Sequence, residues 1–363
     1  MKFDFSQQPG LIRWNRNLKF DGKPLVSIIT AFYNAGKYFQ QTYNSVMDQT
    51  FPWFEWIIVD DGSTDEESLL LLNKLALSDQ RIKIIHQENA GAPSARNTGI
   101  LNSTTDYIFP LDSDDLIEPT CLEYNFWALY FNPKATWSYS DSVGFQNEEY
   151  LWDASFDPER MKKTNHLVVT ALIRKQAALD VGCYSIQEGP FDEDWHFWLK
   201  LLAQGAFPVQ IKGEYLFWYR RSENGVYASV HNNLQNNKRN KKIISEQAAF
   251  VIAPEKPVIY PTGVSKTYTL PVESKWNRSI YKEHHKIHIL CLFPWLSMGG
   301  ADKFNLDLLT GLDKECYEIS IITTTPSDNA WLQRFREVTP EIFNLPNFLS
   351  DENFPEFINY FIK

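Results

Sequence analysis

From Leu25 to Leu111 the chain alternates short apolar runs with amphipathic ones, and this constrains the fold more than any other feature of the sequence. Strands that are all apolar need cover on both faces, and helices interleaved between them supply it, so the pattern predicts a parallel α/β sheet. The predicted strands are Leu25–Thr30, Trp56–Val59, Ile82–His86 and Tyr107–Leu111, with helices at Tyr38–Asp48, Glu66–Leu77 and Pro93–Leu101 between them. Pro93 suits a first helical turn, where its missing N–H has no partner to lose.

Each predicted strand runs into polar residues. Ala31-Phe32-Tyr33-Asn34 follows the first, Asp60 to Asp65 the second, Asn89 to Asn97 the third and Asp112-Ser113-Asp114-Asp115 the fourth. Open α/β sheets bind ligands outside the carboxyl ends of their strands, so four polar clusters on one edge make a site. The last cluster places three carboxylates within four positions. Like charges so close repel, and a neighbouring positive centre is needed to keep all of them ionised. Mg²⁺ or Mn²⁺ would fit, since each takes one or two carboxylate oxygens and completes its shell with water and substrate phosphates. A solvated turn rich in Asp and Ser is the plainer reading of the same four residues, and at this point both stand.

Beyond Asp115 the pattern loosens: helices are predicted at Pro119–Phe131, Arg174–Val181, Asp194–Ala203 and Asn232–Phe250, and strands at Ala135–Tyr139 and Tyr215–Tyr219. Proline-rich residues 254–285 read as a linker. After it Lys286–Phe293 and Glu318–Thr323 form strands around a Gly299-Gly300-Ala301-Asp302 turn and a helix to Leu312. The expected organisation is an N-terminal extension (1–24), a catalytic domain (25–253), the linker (254–285) and a partial α/β unit (286–363).

At 363 residues and 44% apolar content the chain supports a large core, while a net charge of −10 with dispersed Lys and Arg argues against nucleic acid as a partner. The basic run Lys238-Arg239-Asn240-Lys241-Lys242 reads as a solvated helix face. Cys121, Cys183, Cys291 and Cys316 are far apart and form no C-x-x-C pair, which fits buried thiols in a reducing, cytoplasmic compartment. No apolar run approaches the roughly 20 residues that span a bilayer, and the opening residues do not read as a signal peptide.

Five motifs in order carry a resemblance: V-S-I-I-T-A-F-Y-N at Val26–Asn34, I-I-V-D-D-G-S-T-D at Ile57–Asp65, N-A-G-A-P-S-A-R-N-T-G at Asn89–Gly99, F-P-L-D-S-D-D at Phe109–Asp115 and F-D-E-D-W-H-F-W-L-K-L at Phe191–Leu201. Together they resemble an inverting family 2 glycosyltransferase of the A-type, nucleotide-diphospho-sugar transferase fold. Ala31 departs from the pattern, where proline or threonine is frequent, so a side-chain contact to the base is lost and the backbone one kept. The resemblance implies a donor pocket of Ala31, Phe32, Tyr33, Asp60, Arg96, Asp112 and Ser113, with Tyr33 packed on the nucleobase and Asp60 accepting its N–H. Arg96 would lie near base and phosphates, although an ion pair with Asp60 or Asp61 is compatible. Asp114 would ligate the metal, Mn²⁺ or Mg²⁺, and Asp115 orient its neighbours. Asp194 would be the general base, with Glu193, Trp195 and Arg220 on the acceptor or diphosphate side. Helix capping explains paired acids at 193–194 equally well without the family match, and a core role suits Trp195 as readily.

The implied function is transfer of a sugar from a nucleotide-diphosphate donor, with UDP favoured, to a hydroxyl of a glycan or lipid-linked acceptor. An acceptor on a lipid carrier would bring the protein to the inner face of a membrane peripherally. Two alternatives share the fold. A nucleotidyltransferase would need a Gly-rich loop with a phosphate-binding Lys or Arg after the first strand, which is missing, and a non-catalytic sugar-nucleotide or glycan-binding module would have no need of Asp60, Asp112, Asp114 and Asp194 together. The tail from His288 resembles the opening of a B-type, family 4 glycosyltransferase truncated before its donor-binding half.

Overall fold

The structure, a computed structural model, describes residues 3–11, 14, 22–222, 230–252, 256–262, 273–276, 278 and 286–362. The first half follows the predicted alternation. Strand β1 (Val26–Phe32), helix α1 (Gly36–Met47), β2 (Phe54–Asp60), α2 (Glu66–Ala76), β3 (Ile82–His86), α3 (Ala92–Asn102) and β4 (Tyr107–Pro110) succeed one another, and β1 pairs in parallel with both β2 and β4. Ile28, Ile29, Trp56, Ile57 and Ile58 are fully buried, as expected for strands covered on both faces. Helix α3 comes unusually close to the sheet at Gly99, where a Cβ would lie 2.4 Å from Ile29 Cγ2. Only glycine admits that approach, and it seats the inner face of α3 directly on β1.

Next come β5 (Leu116–Ile117), α4 (Cys121–Tyr130), β6 (Trp137–Gln146), β7 (Tyr150–Trp152), α5 (Pro158–Met161), β8 (Leu172–Arg174), α6 (Lys175–Asp180), α7 (Glu193–Leu202), β9 (Pro208–Arg221) and a helix at Leu234–Ala248. With β10 (Val258–Tyr260), the ten-stranded sheet runs β10-β9-β6-β8-β4-β1-β2-β3, with β5 on β9 and β7 on β6. Strand β9 spans 14 residues, far more than the predicted Tyr215–Tyr219, because it continues through a left-handed Gly213 and a register shift against β6. Within 254–285, predicted as a linker, β10 (Val258–Tyr260) extends the main sheet beside β9. Lys238, Lys241 and Lys242 are exposed as expected, whereas Arg239 is half-buried and donates to the Pro190 carbonyl.

Three strands, not two, follow: β11 (Ile287–Phe293), β12 (Tyr317–Thr323) and β13 (Ile342–Asn344) form a second, smaller parallel sheet. Phe343, Phe348, Phe357 and Tyr360 of this unit join one core with Tyr124, Phe126 and Trp127 of α4. A buried ion pair, Arg278 to Glu341 at 2.8 Å, lies in the same seam. The four cysteines are free, but only Cys121 and Cys183 are buried; Cys291 is partly and Cys316 fully exposed, so burial does not explain all four.

Candidate functional site

The carboxyl ends of β1, β2 and β4 carry the first three parts of the site. After β1 the chain turns through Asn34 in the left-handed region (φ 48°), and Asn34 Oδ1 accepts the Thr64 and Asp65 N–H groups at 2.8 and 3.2 Å. This ties the loop after β1 to the loop after β2. Tyr33 is left 50% exposed at the rim, while Phe32 is fully buried against Phe39 and Ala31 is partly buried. Phe32 therefore offers no exposed side chain, and its carbonyl already accepts the Asp61 N–H.

Asp60 ends β2 almost fully buried, accepting the Ser63 N–H at 2.9 Å and lying 2.8 Å from His86 Nδ1 at the end of β3. Burial alone would raise its pKa, but hydrogen bonds from Ser63 and His86 outweigh it and hold the carboxyl below its usual value. Asp61 faces the other way. It accepts Gln87 Nε2 and the Ala90 and Gly91 N–H groups at 2.7 to 2.9 Å, which fixes the loop that launches α3.

Arg96 then points inward from α3, 4% exposed, and bridges two distant acids: Nη2 donates to Asp112 at 2.7 Å and Nη1 to Glu193 at 2.9 Å. The alternative pairing with Asp60 or Asp61 does not form; those carboxylates are taken by His86 and by the Gln87–Gly91 loop. Burial disfavours the guanidinium, yet Asp112 and Glu193 more than compensate and raise its pKa. One residue of α3 thus joins the carboxylate loop after β4 to the first turn of α7.

In that loop Asp115 is fully buried, with Oδ1 accepting the Arg220 backbone N–H at 2.8 Å and Oδ2 without a partner. Burial pushes its pKa well up, and Asp114 and Asp112 add to the effect. Asp114 is pushed up to about 6 by burial and then by Asp112. No side chain among the described residues donates a hydrogen bond to it. The Ser113 carbonyl accepts the Thr42 hydroxyl at 3.1 Å. Arg220, on β9, donates Nε to the Asp114 carbonyl at 2.6 Å and stacks between Tyr38 and Phe145. Arg221 turns outward and pairs with exposed Glu148 at 3.2 Å.

Helix α7 supplies the other wall. Asp194 Oδ1 accepts the Trp195 N–H at 2.7 Å and Oδ2 accepts Asn165 Nδ2 at 3.1 Å. Burial, reinforced by Glu193 and Asp192, pushes its pKa up to about 7. That is where a carboxyl can exchange a proton near neutrality. Trp195 packs partly on the α7 core and donates Nε1 to the Met161 carbonyl at 2.7 Å, so its placement combines the core role with a partly open face. Sequence reading missed Asn165, His86 and Tyr184, whose ring lies 5.4 Å from the Arg96 guanidinium. Each contacts the site across a loop or strand without motif spacing to betray it.

Hard oxygen donors at Asp112 and Asp114, the second accepting no side-chain hydrogen bond among the described residues, fit a divalent ion completed by substrate phosphates. No group of three or more His, Cys, Asp and Glu among the described residues could hold an ion unaided.

A family model, "Glycosyl transferase family 2", matches residues 27–171. The putative teichuronic acid biosynthesis glycosyltransferase TuaG of Bacillus subtilis (strain 168) is 46% identical over 214 residues, 56% of this chain and 82% of that protein. Glycosyltransferase GlyG of Streptococcus pneumoniae serotype 4 is 37% identical over 100 residues, 27% of this chain, and the match spans only 33% of GlyG's length. Among solved structures, S. aureus TarS 1-349 in complex with UDP-GlcNAc superposes with a TM-score of 0.49 at 19% identity, covering 61% of this chain and 66% of that one. Through its match to most of TuaG, and with motifs that the structure gathers on one sheet edge, the chain belongs to glycosyltransferase family 2.

Proposed function

We propose that this protein is an inverting glycosyltransferase that moves a sugar from a nucleotide-diphosphate donor, UDP in first place, to a hydroxyl of a glycan or lipid-linked acceptor. The observation that supports the reading is the Arg96 bridge, which ties Asp112 to Glu193 in the first turn of α7. A donor end and a proton acceptor are then neighbours, as a single displacement requires.

Tyr33 offers its exposed ring to the base, and Asp60, held ionised by Ser63 and His86, accepts an imide N–H. Asp112 and Asp114 would hold Mg²⁺ or Mn²⁺ beside the diphosphate. When bound, that ion neutralises charge on the departing nucleoside diphosphate. Asp194, with its pKa near 7 and one oxygen on Asn165, takes the proton from the acceptor hydroxyl as it attacks the anomeric carbon. Asp115 fixes the Arg220 backbone and so the geometry of the loop. No helix among the described residues is long and apolar enough to cross a membrane.

The test is a panel of sugar nucleotides with and without Mn²⁺, scored for donor hydrolysis and transfer by the full chain. Turnover with one sugar nucleotide supports the reading. Tight binding with no turnover under any acceptor would replace it with a sugar-nucleotide-binding module.

A further inference from the structure

Arg96 and Arg220 are both buried, but they are held differently. Arg96 is matched by two carboxylates. Arg220 donates to three neutral oxygens: Nε to the Asp114 carbonyl at 2.6 Å, Nη1 to Gln146 Oε1 at 2.7 Å and Nη2 to Gln41 Oε1 at 2.9 Å. Its plane is sandwiched between Tyr38 and Phe145, at 4.5 and 4.6 Å from their ring centres. A guanidinium carries five N–H groups, so one on each terminal nitrogen remains. Neutral acceptors fix its orientation, and the Asp114 and Asp115 carboxylates act on its charge from nearby without a direct hydrogen bond.

Gln41 is itself fixed from behind. Its Nε2 donates to Gln8 Oε1 at 3.3 Å and to the Pro9 carbonyl at 3.1 Å, and Asn44, one turn on, donates to the Gly10 carbonyl at 3.0 Å. Gly10 crosses α1 so closely that a Cβ would lie 2.3 Å from the Gln41 carbonyl oxygen, with φ at +76°. Phe3 and Phe5 of the same segment pack beside Leu116, Phe145 and Trp218. Residues 3–11 precede the region matched by the family model, yet they reach the carboxylate loop through two side chains.

We infer that Gln41 is a positioning residue that presents Arg220, with no carboxylate hydrogen-bonded to its guanidinium, to the donor diphosphate, and that the Gln8–Gly10 segment is the strap that holds Gln41 in place. This rests on the nucleotide-sugar reading of the site. The strap is then part of the donor pocket although it touches no donor atom.

The test compares uridine and UDP binding, in Mn²⁺, to the full chain and three variants. The inference predicts that Gln41→Ala weakens UDP about tenfold, the equivalent of one charge-assisted hydrogen bond, and leaves uridine unchanged. Gln41→Glu is decisive, because a carboxylate keeps an acceptor on Arg220 while neutralising its charge, and it also loses the amide donor to Gln8 and Pro9. It should weaken UDP at least as much as Gln41→Ala, with thermal unfolding confirming that the variant is folded. Gly10→Ala, which displaces the strap and leaves Gln41 intact, should weaken UDP in the same selective way. Wild-type affinity for UDP in Gln41→Glu would show a merely structural contact and overturn the inference. Equal loss of uridine and UDP in all three would do the same. A wild-type protein that binds UDP no better than uridine would remove the nucleotide-sugar reading and the inference with it.

Discussion

The molecule contains two sheets, a large mixed one built on parallel β1–β4 and a small parallel one, whose carboxyl ends differ in charge. At the ends of β2 and β4 the main sheet presents Asp60, Asp112, Asp114 and Asp115, and burial and mutual repulsion leave Asp114 and Asp115 with raised pKa values. At the ends of β12 and β13 the small sheet presents Thr323 and Asn344, which bond each other at 2.9 Å, while Asn329 donates to Asn344 Oδ1 at 3.2 Å. Asn344 also donates to Glu214 of β9 at 2.8 Å, so that edge is a docking seam with its polar groups answered. The large sheet therefore ends in a carboxylate cluster whose buried members keep raised pKa values, and the small sheet in a joint whose polar groups satisfy one another.

If that contrast is right, substitutions at the two edges should separate catalysis from stability. The largest effect is expected at α7. Asp194→Asn should lower transfer by about 10²- to 10⁴-fold, the usual contribution of general acid–base catalysis, with UDP affinity unchanged, as titration calorimetry would report. The pH profile sharpens the same point. Only the deprotonated carboxylate can accept a proton, so kcat/KM should rise with pH and level off above about 7; a flat profile from pH 5 to 8 would remove Asp194 as the base. Next, Asp114→Ala should abolish the Mn²⁺-dependent part of donor binding, and unchanged affinity in Mn²⁺ would remove the metal assignment. On the seam, Glu341→Gln removes the carboxylate paired with buried Arg278, which costs about 3–5 kcal/mol of stability. Thermal unfolding should show the loss while UDP binding to the folded protein stays unchanged, and a selective loss of donor binding would break the distinction between the two edges. The smallest effect is expected at Gly300, where a Cβ meets nothing within 4 Å. Gly300→Ala should alter neither quantity measurably.

Much of the first half was legible because its signals are local. Strand β3 lies where its apolar run ends, at Ile82–His86, and α1 to α3 depart from their predicted bounds by only one or two residues. Polar clusters after apolar runs gave the site's edge directly. What the sequence hid is held by long-range contacts: Arg96 to Glu193 spans 97 positions and Arg220 to Gln41 spans 179. No spacing rule connects such pairs. Strand β9 was read short because Gln210, Lys212, Gly213 and Glu214 interrupt its apolar pattern, and Gln210 is buried with its amide engaged by Asp141, Ala154 and Phe156. Strand β13, three residues ending in Asn344, has too little periodicity to register. The ambiguity of Trp195 persists in the fold, which gives it both a core contact and an open face.

The most direct test of the central claim pairs two quantities on two proteins: UDP release in the presence of acceptor, and donor affinity, for the wild type and Asp194→Asn with one UDP-sugar in Mn²⁺. The account predicts equal donor affinity and release at least about 10²-fold slower in the variant. Undiminished release by Asp194→Asn would contradict it.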